Sequence, residues 1–319
     1  MKFGIISPGR HFMNRIYPAM VAEGNQVTAI CSRHSGNREE LAKICDQITS
    51  GLDEFSKMDF DAAYISSPNA MHFGDAMACI RAGKDVLLEK PMTLNHTEAL
   101  KLVESASSAG VKLAIGFHLR FHPAMKEIRE LIRNDDIGKI AHITAAWGSY
   151  SDRTGDTRVW KFDERLAGGG SLVATSVHVM DSINFISGEK PVELSCMRFP
   201  NQVVETTSAI TVRYSSFPAH ITTSSKVQFP DNALRIYTDT DTLEAEGVYG
   251  VEIGGTLKRN GRVFRRYQRK DIYRREIRGF MDLVDGRETE IATGEDGALV
   301  TRELEAAHTS SASHVTVKL

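Results

Sequence analysis

Ser66-Ser-Pro-Asn-Ala-Met-His-Phe-Gly-Asp-Ala-Met-Ala-Cys-Ile-Arg-Ala-Gly-Lys-Asp-Val-Leu-Leu-Glu-Lys-Pro91 is the stretch whose reading decides the fold. It is entered from Ala62-Ala63-Tyr64-Ile65, an apolar run short enough for a buried strand. Ser-Pro-Asn is turn chemistry, because proline fixes φ and asparagine folds its side chain back on the backbone. Met71 to Ala82 then carries Phe73, Met77 and Ile80 at helical spacing, and Gly83 is placed to end that helix. Val86-Leu87-Leu88 is a second buried strand and delivers Glu89-Lys90-Pro91 at its carboxyl end. Ligands of an open parallel sheet sit at that edge, so the Lys90 ammonium is placed where a reacting atom would be.

Toward the amino terminus, Phe3-Gly4-Ile5-Ile6 is another short apolar strand. The turn after it, Ser7-Pro8-Gly9-Arg10-His11-Phe12, occupies the place of a Gly-x-Gly-x-x-Gly dinucleotide fingerprint and keeps only the middle glycine. Ser7 replaces the first glycine and Phe12 the third, and Pro8 contributes no N–H. The position still favours a phosphate site, with a helix predicted from about Asn14 to Glu23. Ser7, Gly9 and Arg10 are its candidate contacts, Arg10 offering a guanidinium to pyrophosphate. Val27-Thr28-Ala29-Ile30-Cys31 reads as the second strand, followed by Ser32 and Arg33. No Asp or Glu occurs from Val27 to Arg38, where an NAD-preferring fold places a carboxylate for the ribose. Ser32 and Arg33, with His34 or Arg38, would instead surround a 2′-phosphate, which favours NADP with NAD as the alternative. Short helices over Arg38–Cys45 and Leu52–Met58, an amphipathic helix over Thr93–Ala109 and a strand over Val111–Gly116 complete the half. The alternation implies a doubly wound parallel sheet over residues 1–117.

Beyond Phe117 the alternation stops. His122 and Pro123 are placed to cap a helix running to Asn134, and a strand is predicted from Gly138 to Trp147. Further strands are expected near Val192–Met197, Val203–Arg213, Ala219–Val227, Leu234–Tyr237 and Val248–Ile253. The second domain, 118–319, thus reads as α+β with a largely antiparallel open sheet. Gly168-Gly169-Gly170 precedes a helical stretch in which Ser171, Ala174, His178 and Asp181 share one face by spacing. Lys258 to Arg278 is strongly basic, and its ordinary reading is a solvated face. An anion site for a phosphorylated or nucleotide-linked sugar, or an intersubunit contact, is the functional alternative.

Strand, Ser-Pro-Asn, His72 three residues on, helix, Ala-Gly-Lys, strand and Glu89-Lys90-Pro91, in this order, closely resemble the glucose–fructose oxidoreductase / inositol dehydrogenase (Gfo/Idh/MocA) family. The resemblance spans nearly the whole length and is weakest at Ser7–Phe12. It implies an NAD(P)-dependent oxidoreductase moving a hydride between nicotinamide and a secondary alcohol or ketone of a sugar, polyol or sugar derivative. Carried onto this sequence, it puts Ser67, Asn69, His72, Glu89 and Lys90 at the cofactor, Lys90 and His178 in catalysis, and Lys90, His118, Arg120 and His178 at the substrate. Trp160-Lys161 resembles a family pair that approaches the cofactor. The family's usual acidic residue before the histidine falls on Ala174. The resemblance also implies a cis peptide before Pro91 and a homodimer or homotetramer. A non-enzymatic NAD(P)-binding sensor on the same fold is the alternative, favoured by the eroded glycine turn and by Ala174 and opposed by the intact Glu89-Lys90-Pro91 and His178.

Composition agrees with a globular enzyme. The 319 residues suffice for two domains, and a net charge of −2 points to neither nucleic acid nor an anionic membrane. Four cysteines (Cys31, Cys45, Cys79, Cys196) form no Cys-x-x-Cys pair and no metal spacing, so no metal is expected. No apolar run is long enough to cross a bilayer and no signal peptide is read, so the chain is expected to be cytoplasmic.

Overall fold

In the computed structural model, which describes all residues except 34–37, 151–158, 201–203, 228, 230–231, 251–253 and 269–270, the chain divides into two compact units. The first comprises Met1–His118 and Tyr273–Leu299, the second Leu119–Ile272 and Val300–Leu319. The division expected at 117/118 lies beside the first crossing, but Tyr273–Leu299 returns to the first unit.

The first unit is built on β1 (Lys2–Ile6), whose Phe3, Ile5 and Ile6 are wholly buried. β2 (Gln26–Cys31) and then β3 (Ile48–Thr49) extend the sheet in parallel on one side. β4 (Ala62–Ile65), β5 (Asp85–Leu88) and β6 (Leu113–Ile115) extend it in parallel on the other. Strand order therefore reverses at β1, and the crevice at such a switch point is where this kind of sheet binds ligands. Gly4 is required by close packing, since a Cβ there would come within 2.7 Å of the Phe55 ring. The connecting helices are α1 (Tyr17–Ala22), α2 (Arg38–Leu41), α3 (Leu52–Phe55), α4 (His72–Arg81) and α5 (His96–Ala109). Asn95 caps α5 by accepting from the Glu98 N–H, and Gly110 ends it in the left-handed region. The helix expected from Asn14 begins instead with a wide i→i+5 turn over Phe12–Ile16, and only Tyr17–Ala22 is regular.

The second unit opens with α6 (Pro123–Arg133), capped as expected by His122, whose Nδ1 accepts from the Ala124 N–H at 3.1 Å. Its sheet strands are β7 (Ile140–Gly148), β8 (Glu193–Phe199), β9 (Thr207–Arg213), β10 (Pro218–Ser224), β11 (Leu234–Thr238), β12 (Thr242–Glu246), β13 (Gly255–Arg259) and β14 (Arg262–Tyr267). Between β7 and β8 lie α7 (Glu164–Ala167) and α8 (Val177–Ser187). Every pairing in this sheet is antiparallel except β7 with β10. The strand expected over Val248–Ile253 is absent at Val248–Gly250, and 251–253 lie outside the described residues. In the basic run Arg262, Arg265, Arg266, Arg274 and Arg278 are exposed, as a solvated face requires. Its first half is the edge hairpin of β13 and β14, and its second half enters α9 (Ile272–Val284).

From Tyr273 the chain rejoins the first unit. Phe280 of α9 lies 6.0 Å, ring to ring, from Phe3. β15 (Ala292–Thr293) then pairs antiparallel with β6 and makes that sheet seven-stranded. α10 (Gly294–Ser313) and β16 (Val317–Lys318), which pairs with β8 in the nine-stranded sheet, end the chain. All four cysteines are buried and unbridged. Among the described residues no helix is long and apolar enough to cross a membrane, and no group of side chains could hold a metal ion.

Candidate active site

The turn after β1 keeps dinucleotide geometry despite its poor fingerprint. Ser7 adopts φ +55, the left-handed conformation that the replaced glycine would take, and its N–H donates to Cys31 O at 2.8 Å. Above Gly9 there is open space, with no atom within 4 Å of where a Cβ would sit, so a pyrophosphate can approach the backbone. Phe12, wholly buried against Tyr64, fills the place of the third glycine. Arg10 is exposed beside this turn. Ser66 Oγ donates to Ser7 O at 3.1 Å and ties the turn to the end of β4. The neighbouring Ser67 hydroxyl is buried, with no hydrogen-bond partner among the described residues, as expected of a group that meets a ligand. These features fit a dinucleotide, which would be held by the turn, Ser67 and the strand ends.

At the end of β2, Ser32 N donates to Thr49 O at 2.9 Å. Arg33 is not an isolated cation. Its guanidinium grips Asp75 of α4 through Nη2–Oδ1 at 2.5 Å and Nη1–Oδ2 at 3.2 Å. Arg38 reaches Ile48 O at 3.2 Å, and His34 lies outside the described residues. Asn69 is buried in the turn before α4. His72, expected at the cofactor, engages the backbone through both ring nitrogens. Its Nδ1 faces Pro91 O at 2.7 Å and its Nε2 faces Ser67 O at 2.9 Å, so it staples the turn after β4 to the end of β5.

Lys90 emerges at that end, before a cis Lys90–Pro91 peptide. Burial lowers its pKa and the Glu89 charge partly restores it. Glu89 is the hub of a cluster of which sequence reading singled out Glu89 and Lys90. It accepts from Tyr64 Oη at 2.7 Å, and His11 Nε2 lies 3.4 Å away. Burial opposes its ionisation, but His11, Lys90 and Tyr64 prevail and hold its carboxyl at about 2. Glu276, part of the supposed solvated face, is buried on α9. Burial, and then the charge of Glu89, push its pKa well above the carboxylate range, so it stays neutral. One turn earlier on α9, the Tyr273 ring lies 5.2 Å from His11 and 5.0 Å from His118. His118 is a buried side chain of the first unit, its ring tilted 33° to that of Tyr273.

In the second unit His178 is buried on α8, its ring 5.6 Å from Trp147. A wide turn over Leu172–Ser176 precedes α8 and breaks the simple helical spacing. Ser171, His178 and Asp181 are buried while Ala174 is exposed, which corrects the shared face. Asp181 pairs with Arg120, whose Nη2 bonds its Oδ1 at 2.6 Å and whose Nε meets both oxygens at 3.0 Å, and both side chains are buried. Trp160 and Lys161 lie in a short 3₁₀ turn, Lys161 Nζ 5.7 Å from the indole centroid.

Sequence reading missed Glu205, which anchors the triple glycine. Its carboxylate accepts from Gly170 N at 3.0 Å and Leu172 N at 2.6 Å, and its carbonyl accepts from Ser171 N at 3.2 Å. A Cβ on Gly170 would fall 1.7 Å from that carbonyl oxygen, so only glycine fits. A Glu-Thr-Thr stretch before a strand carries no pattern that announces such a clasp. Asp75 was detectable, since it interrupts the buried stripe His72, Ala76, Cys79 and Ile80 of α4.

A doubly wound sheet with a phosphate-compatible turn at its switch point, and a half-buried lysine at a strand's carboxyl end, defines a dinucleotide-dependent oxidoreductase class. Within it, the chain belongs to the Gfo/Idh/MocA family. Residues 1–117 match its oxidoreductase domain, described as an NAD-binding Rossmann fold, and residues 125–244 match its C-terminal domain. The chain is 26% identical to 1,5-anhydro-D-fructose reductase of Ensifer adhaerens, covering 93% of this chain and 92% of the relative. It is 27% identical to D-xylose 1-dehydrogenase (NADP(+)) 2 of Haloferax volcanii, with 100% of both covered. Its fold matches that of aldose-aldose oxidoreductase from Caulobacter crescentus with a TM-score of 0.88 at 22% identity, over 100% of this chain and 99% of that one.

Proposed function

We propose that the chain catalyses NAD(P)-dependent hydride transfer between nicotinamide and a secondary alcohol or ketone of a sugar, polyol or sugar derivative, with NADP favoured. The observation that carries the reading is Lys90 at the carboxyl end of β5, its pKa lowered by burial beside a carboxylate held ionised. The names of the two full-length relatives support a sugar-like substrate. Nicotinamide supplies the hydride chemistry when bound. Lys90 then takes the hydroxyl proton in oxidation or returns it in reduction, and burial lowers its pKa in the direction that favours the neutral amine. His178 is the second proton-handling group in this reading. Ser7, Gly9, Arg10, Ser32, Arg33, Ser67, Asn69, Trp160 and Lys161 are the dinucleotide contacts in this reading. A cytoplasmic homodimer or homotetramer belongs to the same proposal, and its mass in solution checks it.

The test combines thermal shift with turnover. NADP(H) should raise the melting temperature of the native protein and of Lys90→Met equally, because a ligand bound only by the native state stabilises it. Turnover with NADP(H) and a panel including D-xylose and 1,5-anhydro-D-fructose should be lost only in Lys90→Met. Near-native kcat in the variant removes Lys90 from the mechanism. Cofactor-induced stabilisation without turnover across the panel turns the reading toward a dinucleotide sensor.

A further inference from the structure

We propose that Asp75 tempers the charge of Arg33, so that the ribose end of the cofactor site accepts NAD as well as NADP. The inference rests on the reading that Arg33 faces the 2′ position.

In this fold the residue that discriminates the cofactors sits at the carboxyl end of the second strand, as a carboxylate for a 2′-hydroxyl or an arginine for a 2′-phosphate. This chain has no acid from Val27 to Arg38, and Arg33 stands two residues after β2. A carboxylate nevertheless arrives there from another element. Asp75, in the first turn of α4, pairs with Arg33 through two hydrogen bonds. The Asp75 side chain is 3% exposed and that of Arg33 28%. The carboxylate thus lies behind the guanidinium, which keeps an open side.

The pair has no net charge but still presents N–H donors outward. A ribose hydroxyl needs a hydrogen-bonding partner and no charge. A 2′-phosphate carries about −1.5 to −2 and gains most from an uncompensated cation. Asp75 acts on the phosphate in two opposite senses. By holding Arg33 still it spares rotamer entropy, worth at most roughly thirtyfold in binding and partly recovered once any ligand orders the side chain. By facing a near-dianion across one guanidinium it repels, worth on the order of tenfold to hundredfold at the effective dielectric of a partly exposed site. Repulsion outweighs positioning, so Asp75 holds NADP affinity down and leaves NAD affinity nearly untouched.

Calorimetric dissociation constants for NADP and NAD, measured on the full chain without substrate, test this. Asp75→Asn should bind NADP about tenfold tighter, ~1.4 kcal/mol, with NAD unchanged within about twofold. Should Asp75→Asn fail to fold, Asp75→Ser removes the same charge and should show the same change. In an Arg33→Ala background Asp75→Asn should lose its selectivity for NADP, because the group it acts through is gone. Weaker NADP binding in Asp75→Asn would overturn the proposal in favour of a positioning role, and equal tightening of both cofactors would place Asp75 away from the 2′ position. If Arg33→Ala leaves the NADP-to-NAD ratio unchanged, the reading of Arg33 fails first, and the proposal with it.

Discussion

Arg33 with Asp75 and Arg120 with Asp181 are the same chemical pair in two settings. Sequence reasoning assigned both arginines to ligands, and the fold supplies each with an aspartate. The second pair is sealed, its side chains 8% and 1% exposed, with the Phe185 ring 5.2 Å from the guanidinium. The first is sealed only on the carboxylate side. Charge is thus sealed on both sides in one pair, while in the other the guanidinium stays partly exposed. An arginine's role is decided by whether its open side survives folding, and no sequence pattern records that.

The largest effect expected from this contrast is at Asp181. Removing one partner of a buried pair strands the other, so Asp181→Ala should cost about 3–5 kcal/mol in urea unfolding. A loss under about 1 kcal/mol would mean that water reaches Arg120.

Next comes a buried carboxyl with no ion-pair partner among the described residues. Glu303 on α10 accepts from Asn184 Nδ2 at 2.8 Å, and its other oxygen has no partner among the described residues. Burial pushes its pKa up to about 8. Between the ordinary value of 4.5 and about 8 the folded chain holds a proton that the unfolded chain has released, so this group's contribution to stability falls as pH rises through that window. The slope reaches about 1.4 kcal/mol per pH unit at most. Glu303→Gln should flatten the stability profile between those limits, and an unchanged profile would show that Glu303 is ionised in the native state.

Asp75→Asn should cost about 1–2 kcal/mol, less than Asp181→Ala, because its orphaned arginine can turn to solvent. Equal losses at the two positions would erase the distinction between the pairs. The smallest effect is expected at Arg265, which is 59% exposed beside Glu127. Arg265→Ala should change stability by about 0–1 kcal/mol.

Much of the architecture was legible because strands buried on both faces leave apolar runs that need little context. Ala62–Ile65 and Val86–Leu88 are such runs, and both are strands. β12, β13 and β14 were hidden because their exposed and edge positions carry Thr, Glu, Lys and Arg, which read as solvated chain. Ile272–Val284 folds as a helix, and nothing in the sequence marks Glu276 as facing a core, since burial depends on an element far away in sequence. The turn at Ser7–Phe12 shows the converse. Its letters fit the fingerprint poorly, yet the positive φ of Ser7 and the open space above Gly9 preserve what the chemistry requires. At the site, Lys90 was readable from strand and position, whereas the partners that set the states of Glu89, Arg33 and Arg120 come from elements that only the fold brings near.

The return of Tyr273–Leu299 to the first unit bears on how the chain is made. A ribosome releases β1 to β6 long before α9 and β15 exist. Until then Phe3 lacks Phe280, and β6 offers an unpaired edge where Ala292–Thr293 will later dock. The nascent dinucleotide-binding half therefore waits, incomplete and with an adhesive edge, while the whole intervening sheet is synthesised. A gene fragment stopping at residue 117 would encode that waiting state, not a domain.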